Sequence, residues 1–180
     1  MSTTATGQTY AIDPAHTSAE FVVRHLMIAK VRGRFTGVAG TVDVPEGNDL
    51  PTAITATIQT ATVSTGEAQR DGHLASPDFF DAAQFATIEF RSTSIAGSSD
   101  GFDVHGDLTI HGTTLPVVLK ATYEGRTIDP WGNQRVGYEA HAKISRKAFG
   151  LTWNQALEAG GVAVGDEVKI ELSVEAVATK

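Results

Sequence analysis

The sequence predicts an all-β fold, an eight-stranded antiparallel β-barrel with one short helical excursion between strands. Three observations predict it. Apolar and polar residues alternate with period two along most of the chain; Gly, Pro, Asn and Asp cluster in short, evenly scattered turns; and the candidate strands number about eight. At that number an antiparallel sheet can close on itself and leave no edge.

The elements follow in order. Ala19, Phe21 and Val23 alternate with Glu20 and Arg24, which gives a first strand. Val31 to Val44 gives a second, bent or broken near Gly37 to Gly40, and Ala53 to Ser64 a third. Ala86 to Ser94 is the fourth. In the fifth, Phe102, Val104, Gly106, Leu108 and Ile110 face one way, and Asp103, His105, Asp107 and Thr109 the other. Leu115, Val117, Leu119, Ala121 and Tyr123 form the sixth, and Tyr138, Ala140, Ala142 and Ile144 the seventh. Val168, Ile170, Leu172 and Val174 against Lys169, Glu171, Ser173 and Glu175 complete the set.

Thr65 to Ala83 fits no strand. Glu67, Arg70, His73 and Pro77 break the alternation, while Leu74, Phe79, Phe80 and Phe85 suggest short helices. Excursions of this length in a compact domain are often lids or binding loops.

Composition narrows the function. A net charge of −7 disfavours partners built on phosphate backbones, which demand clustered Lys and Arg. With no cysteine, thiolate chemistry, disulfides and Cys-ligated zinc are excluded. Residues 1–9 read as a disordered tail and 10–178 as one domain. The N-terminus has no basic segment followed by an apolar one, and no apolar run is long enough to span a bilayer, so the expectation is a cytoplasmic protein without a transmembrane segment.

Several predicted inward positions are small, namely Ala19, Gly33, Ala56, Gly106, Ala121, Ala140 and Ala142, interleaved with Phe21, Phe35, Phe90, Phe102 and Leu108. This mixture can leave an apolar void. The same small residues can instead ease barrel curvature, and the residues alone leave both readings open.

The chain also carries a recognisable set of motifs. Ile12-Asp13-Pro14-Ala15-His16-Thr17, then Phe21 and His25-Leu26, come first. Thr65-Gly66, Arg70-Asp71-Gly72-His73-Leu74 and Ser76-Pro77-Asp78-Phe79-Phe80-Asp81 follow, then Ile88 to Ser92. Gly106 to Gly112, Pro116-Val117, Asp129-Pro130-Trp131-Gly132, Ser145 to Leu151 and Val164 to Val168 complete the pattern. Together they resemble the YceI-like family from about Tyr10 to Val177. The resemblance implies a lipocalin-like barrel, often a homodimer, with a tunnel for polyisoprenoid or other long lipophilic molecules. Many members of that family are secreted behind a signal peptide, a pattern from which this sequence departs.

Candidate ligand-binding residues are Phe21, Phe35, Phe90, Trp131 and Trp153 as tunnel linings, Leu74 and Phe80 from the excursion, and Arg70 and His73 near a headgroup. Ordinary core packing competes for the aromatics, and Trp131, between Pro130 and Gly132, can instead plug a barrel end. Arg70 and Asp71 can equally anchor the excursion. Six histidines raise a metal reading, with Asp103, His105 and Asp107 on one strand face, but the fuller His-x-His spacing is absent. Gly160 to Gly165 lacks the Lys and hydroxyl of a phosphate loop and reads as a turn.

The leading expectation is therefore a non-enzymatic carrier of an isoprenoid lipid or quinone, without metal or cofactor. The alternative is an enzyme that holds a lipophilic substrate in the same barrel and uses Arg70, Asp71 and His73 for acid or base work; a solid barrel acting through its surface is a third reading.

Overall fold

The computed structural model describes residues 6–180. Its strands are β1 (Gly7–Ile12), β2 (Ser18–His25), β3 (Ala29–Phe35), β4 (Val38–Pro45), β5 (Ala53–Gln59), β6 (Thr87–Ser98), β7 (Gly101–Ile110), β8 (Thr113–Ile128), β9 (Gln134–Ser145) and β10 (Val164–Ala178), with one helix, α1 (Ala68–Ala75).

These ten segments make a closed ring of eight staves. β1 and β2 lie end to end along one edge of β10, whose Ala176 to Ala178 pair with β1 while Val164 to Ser173 pair with β2. β4 and β3 lie end to end against β1 and β2 in the same way. From β4 the ring runs through β5, β6, β7, β8 and β9 back to β10, every pairing antiparallel.

Local chemistry explains both interruptions. Between β1 and β2, Pro14 has no N–H to give a ladder, and Pro14–His16 form a 3-10 turn whose Asp13 carboxylate accepts the Ala15 amide at 3.0 Å. Between β3 and β4, the amides of Thr36 and Gly37 both donate to the Thr62 hydroxyl, and a side chain at Gly37 would stand 2.9 Å from Gln59 Cβ. The break foreseen near Gly37 is there.

Two expectations change. Residues 7–9, expected in a disordered tail, belong to β1, because Gly7, Gln8 and Thr9 pair with Pro45, Val44 and Asp43. The third strand stops at Gln59 rather than Ser64, since Thr60–Thr62 turn as a 3-10 segment. The excursion is helical as expected, but over Ala68–Ala75, with the Glu67 carboxylate capping the amides of Gln69 and Arg70.

The barrel's two ends differ. The end carrying the turns after β4, β6 and β8 is filled by Tyr10, Tyr123 and Tyr138; Tyr138 donates to the Asp49 carbonyl at 2.7 Å, and burial raises its pKa. Nearby, Arg135 ties β9 to the β1–β2 corner and to β10 by ion pairs with Asp13, Asp129 and Glu175 at 2.7–2.8 Å. The opposite end gathers the β2–β3 turn, α1 with its flanking turns, and the loop from β9 to β10.

A candidate ligand cavity

The lumen holds a cavity of about 750 Å³, lined almost wholly by apolar side chains from the strands and α1 region. At roughly 30 Å³ per water-sized group, it accommodates about 25 heavy atoms of an extended chain. Its exposed lining residues, Arg24, His25, Leu26, Glu67, Gln69 and Gln155, all come from the α1 end. The mouth is therefore at that end, and the tyrosine-filled end is the floor.

Period-two alternation builds the walls. Val168, Ile170, Leu172 and Val174 of β10, and Val117, Leu119 and Ala121 of β8, line the lumen, while Lys169, Glu171 and Lys120 between them face solvent. Ala19, Ala56, Ala121 and Ala140 line it as well, and their small side chains contribute the empty volume. Gly33 and Gly106 do something different from what the sequence suggests. A Cβ on Gly33 would collide with the Phe21 ring, and one on Gly106 with the Phe90 ring. Each glycine gives a neighbouring aromatic a flat bed against the wall and does not add to the void.

Of the aromatics expected to line a tunnel, Phe21, Phe35, Phe90 and Trp153 do so, with Leu74 and Phe80 from the excursion. Two aromatic runs flank the mouth: Phe21 packs on Phe35 at 5.7 Å between centroids and Phe35 on Phe80 at 5.5 Å, while Trp153 packs on His73 at 4.7 Å and on Phe79 at 5.4 Å. Trp131 is a correction. It sits in the β8–β9 turn at the floor end, is 80% exposed, and neither lines the lumen nor plugs the barrel. Asp129 turns the chain there by accepting the Trp131 and Asn133 amides, which holds the indole in solvent.

The polar cluster of the excursion is largely self-satisfied. Asp71 accepts the Thr65 amide at 2.7 Å and the Thr65 hydroxyl at 2.6 Å, and Arg70 donates to the same hydroxyl at 2.7 Å and to the Thr65 carbonyl at 3.1 Å. His73 meets the Asp78 carboxylate at 2.9 Å. Arg70 and Asp71 thus hold the start of the excursion to α1, and Arg70 and His73 also border the mouth. Asp103, His105 and Asp107 lie on the outer face of β7, where Lys120 pairs with Asp103 at 2.8 Å. Asp13, His16 and Glu175 bring three potential metal ligands together, but Arg135 Nη1 already stands 2.8 Å from Asp13 and 2.7 Å from Glu175, so a guanidinium satisfies those carboxylates.

One lining residue escaped the sequence reading. Arg146, 5% exposed, donates to the carbonyls of Gly165 and Leu151 at 2.7 Å, Trp153 at 2.9 Å and Val164 at 3.1 Å, and burial lowers its pKa. It pins the β9–β10 loop to the start of β10 beneath the mouth. A signal for it exists: continuing the inward series Tyr138, Ala140, Ala142, Ile144 by two gives Arg146. Among the described residues, no buried side-chain nitrogen or oxygen lacks a hydrogen-bond partner, so the lumen asks nothing polar of an occupant.

The comparisons agree with this geometry. A model of the YceI-like domain matches residues 10–176. Protein YceI of Salmonella newport is 36% identical over 173 residues, 95% of this chain and 87% of the relative, and protein YceI of Escherichia coli matches to the same extent. Among solved structures, Burkholderia cenocepacia BcnA superposes with a TM-score of 0.77 at 22% identity, covering 91% of this chain and 98% of that one. The Campylobacter jejuni YCEI protein gives 0.74 at 26% identity, over 87% and 90%. A polyisoprenoid binding domain from Saccharophagus degradans gives 0.69 at 15% identity, over 96% and 99%. With the matched domain spanning nearly the whole barrel and the motifs around Arg70 and Arg146 building its mouth, the chain belongs to the YceI-like family.

Proposed function

We propose that this protein binds a long apolar molecule in its lumen, a polyisoprenoid lipid or the tail of a quinone, and carries or sequesters it. The observation that carries the reading is the 750 Å³ apolar cavity that opens at the α1 end, with every buried side-chain nitrogen and oxygen among the described residues already hydrogen-bonded within the protein. About five isoprene units fit that volume, and at ~0.8 kcal/mol per buried methylene they contribute on the order of 20 kcal/mol before the cost of ordering the chain. Such a ligand needs few polar contacts. The similarity to the domain from Saccharophagus degradans, described as polyisoprenoid binding, points the same way. The engagement of Arg70 and Asp71 with Thr65 supports an anchoring role for them over acid–base chemistry.

The test is a ladder of prenyl alcohols of increasing length, followed by quenching of Trp153. Ala140→Phe adds a ring to the lumen wall and is expected to shorten the longest alcohol accepted by about one isoprene unit. Wild-type protein that takes up none of them, or an Ala140→Phe variant with an unchanged limit, overturns the reading.

A further inference from the structure

The rim of the mouth carries a feature that ligand binding does not require. From Phe21 to Val42 the sequence holds Arg24, Lys30, Arg32 and Arg34, with His25 and no acidic residue, in a chain of net charge −7. All four cations are exposed, and among the described residues the ion pair formed by these four is that of Arg32 with Glu171 at 3.3 Å. Lys30, Arg32 and Arg34 share the outer face of β3, a row of roughly 13 Å at strand spacing. Val31, Gly33 and Phe35 point the other way, toward the interior.

At the tip of this hairpin stand Leu26, Met27 and Ile28, 39%, 56% and 82% exposed. Leu26 and Met27 adopt left-handed φ of 52° and 64°, a turn conformation in which Asn and Gly are favoured and large side chains are not. Turn formation therefore gives no reason for apolar residues here. Nor does the tip swing free, because the Leu26 amide donates to the Ala163 carbonyl at 2.8 Å and the Met27 side chain lies against Gly161. Arg24, His25 and Leu26 themselves line the mouth. Glu67, also on the rim, turns its carboxylate to the amides of Gln69 and Arg70.

We propose that the β2–β3 hairpin docks this protein on an anionic lipid bilayer, with Met27 and Ile28 entering the acyl boundary and Arg24, Lys30, Arg32 and Arg34 facing the headgroup phosphates. An apolar tip flanked by cations is the composition that holds a peripheral surface to a negatively charged leaflet. A barrel leaning on β3 brings the whole basic row to the headgroups and turns its mouth toward the acyl phase, so that an apolar chain passes between bilayer and lumen without crossing water. The inference deepens the ligand reading and rests on it for what passes through the mouth.

The experiment is sedimentation of the full chain with vesicles free of isoprenoid, made of phosphatidylglycerol and phosphatidylcholine or of phosphatidylcholine alone. Expected is binding to the anionic vesicles, weakening with salt, and little to the neutral ones. A Lys30→Gln/Arg32→Gln variant should partition about 25-fold less, at roughly fivefold per cation near an anionic surface. A Met27→Ser/Ile28→Ser variant should lose binding; its melting temperature, which exposed polar substitutions leave near wild type, shows that it is folded. Wild type that stays in the supernatant, or variants that bind as it does, overturns the proposal. So does a wild-type dimer that becomes monomeric with Met27→Ser/Ile28→Ser while no vesicles bind, because a second copy then covers the tip. Prenol uptake from detergent solution is scored separately: uptake without docking sinks the docking alone, and docking without uptake sinks the ligand reading alone.

Discussion

Two glycines on the barrel wall should respond to the same substitution in opposite ways. At Gly33 every close neighbour of an added Cβ is a ring carbon of Phe21, and the ring edge must retreat by roughly 1 Å or more to reach normal contact near 3.5 Å. It can, because Phe21 borders the cavity and the space behind it is open. Alanine also restricts the unfolded chain, which stabilises by ~0.4–1 kcal/mol and offsets part of the strain. Gly33→Ala is therefore expected within about 1 kcal/mol of wild type, a shift of roughly 2–4 °C in melting temperature, while the displaced ring reduces the room for a ligand. At Gly106 the added Cβ meets the Phe90 ring and also the Arg91 carbonyl oxygen at 2.6 Å. Arg91 pairs with Asp107 in the β6–β7 ladder and cannot withdraw without opening it. Gly106→Ala should cost about 3 kcal/mol, or roughly 6–12 °C. Thermal unfolding followed by circular dichroism separates the two. Equal losses, or a larger loss at Gly33, would refute the claim that the lumen behind Phe21 is empty.

Arg146→Met removes four hydrogen bonds and takes the guanidinium donor from the carbonyls of Leu151, Trp153 and Gly165, while the Val164 carbonyl keeps the Asn154 amide at 2.7 Å; a loss of about 3–5 kcal/mol is expected in denaturant titrations, and a loss below ~1 kcal/mol would contradict the pinning role. The hydrogen bond from Arg135 holds the Asp13 pKa at about 2, below its ordinary 3.8. A carboxylate with a depressed folded-state pKa stabilises above its unfolded value, and that stability is lost as pH falls through about 2. Urea midpoints should accordingly rise with pH between about 2 and 4, and Arg135→Met should flatten that rise; an unchanged slope would show that the ion-pair cluster does not couple to folding. Of the two tryptophans, Trp153 lines the lumen and Trp131 lies at the far end in solvent. Trp131→Phe should keep the fluorescence response to a prenol and Trp153→Phe abolish it, and the reverse pattern would put the ligand elsewhere.

The barrel was legible because period-two alternation reports directly on which side of a sheet is buried. β7, β8, β9 and β10 face as Phe102, Val117, Ala140 and Ile170 predict, and the break near Gly37 announced itself through glycine. What stayed hidden depends on contacts distant in sequence. Gly33 and Gly106 look like volume left out of the core, and only the neighbouring strands show that Phe21 and Phe90 fill it. The role of Arg146 stayed hidden because its four carbonyl partners come from the following loop and β10. Trp131 was misread from its residue type, although Asp129, Pro130 and Gly132 around it spell a surface turn. The residues near the mouth were found largely by their motif, and their hydrogen bonds then divided them into anchors, Arg70 and Asp71, and aromatic rim, His73 and Trp153.

The most direct test of the central claim is native mass spectrometry of the purified full chain, before and after exposure to a mixture of prenyl alcohols, with solvent extraction of whatever is bound. The account predicts a discrete one-to-one adduct of isoprenoid size that is released on unfolding. A protein mass that remains that of the bare chain through every addition would contradict it.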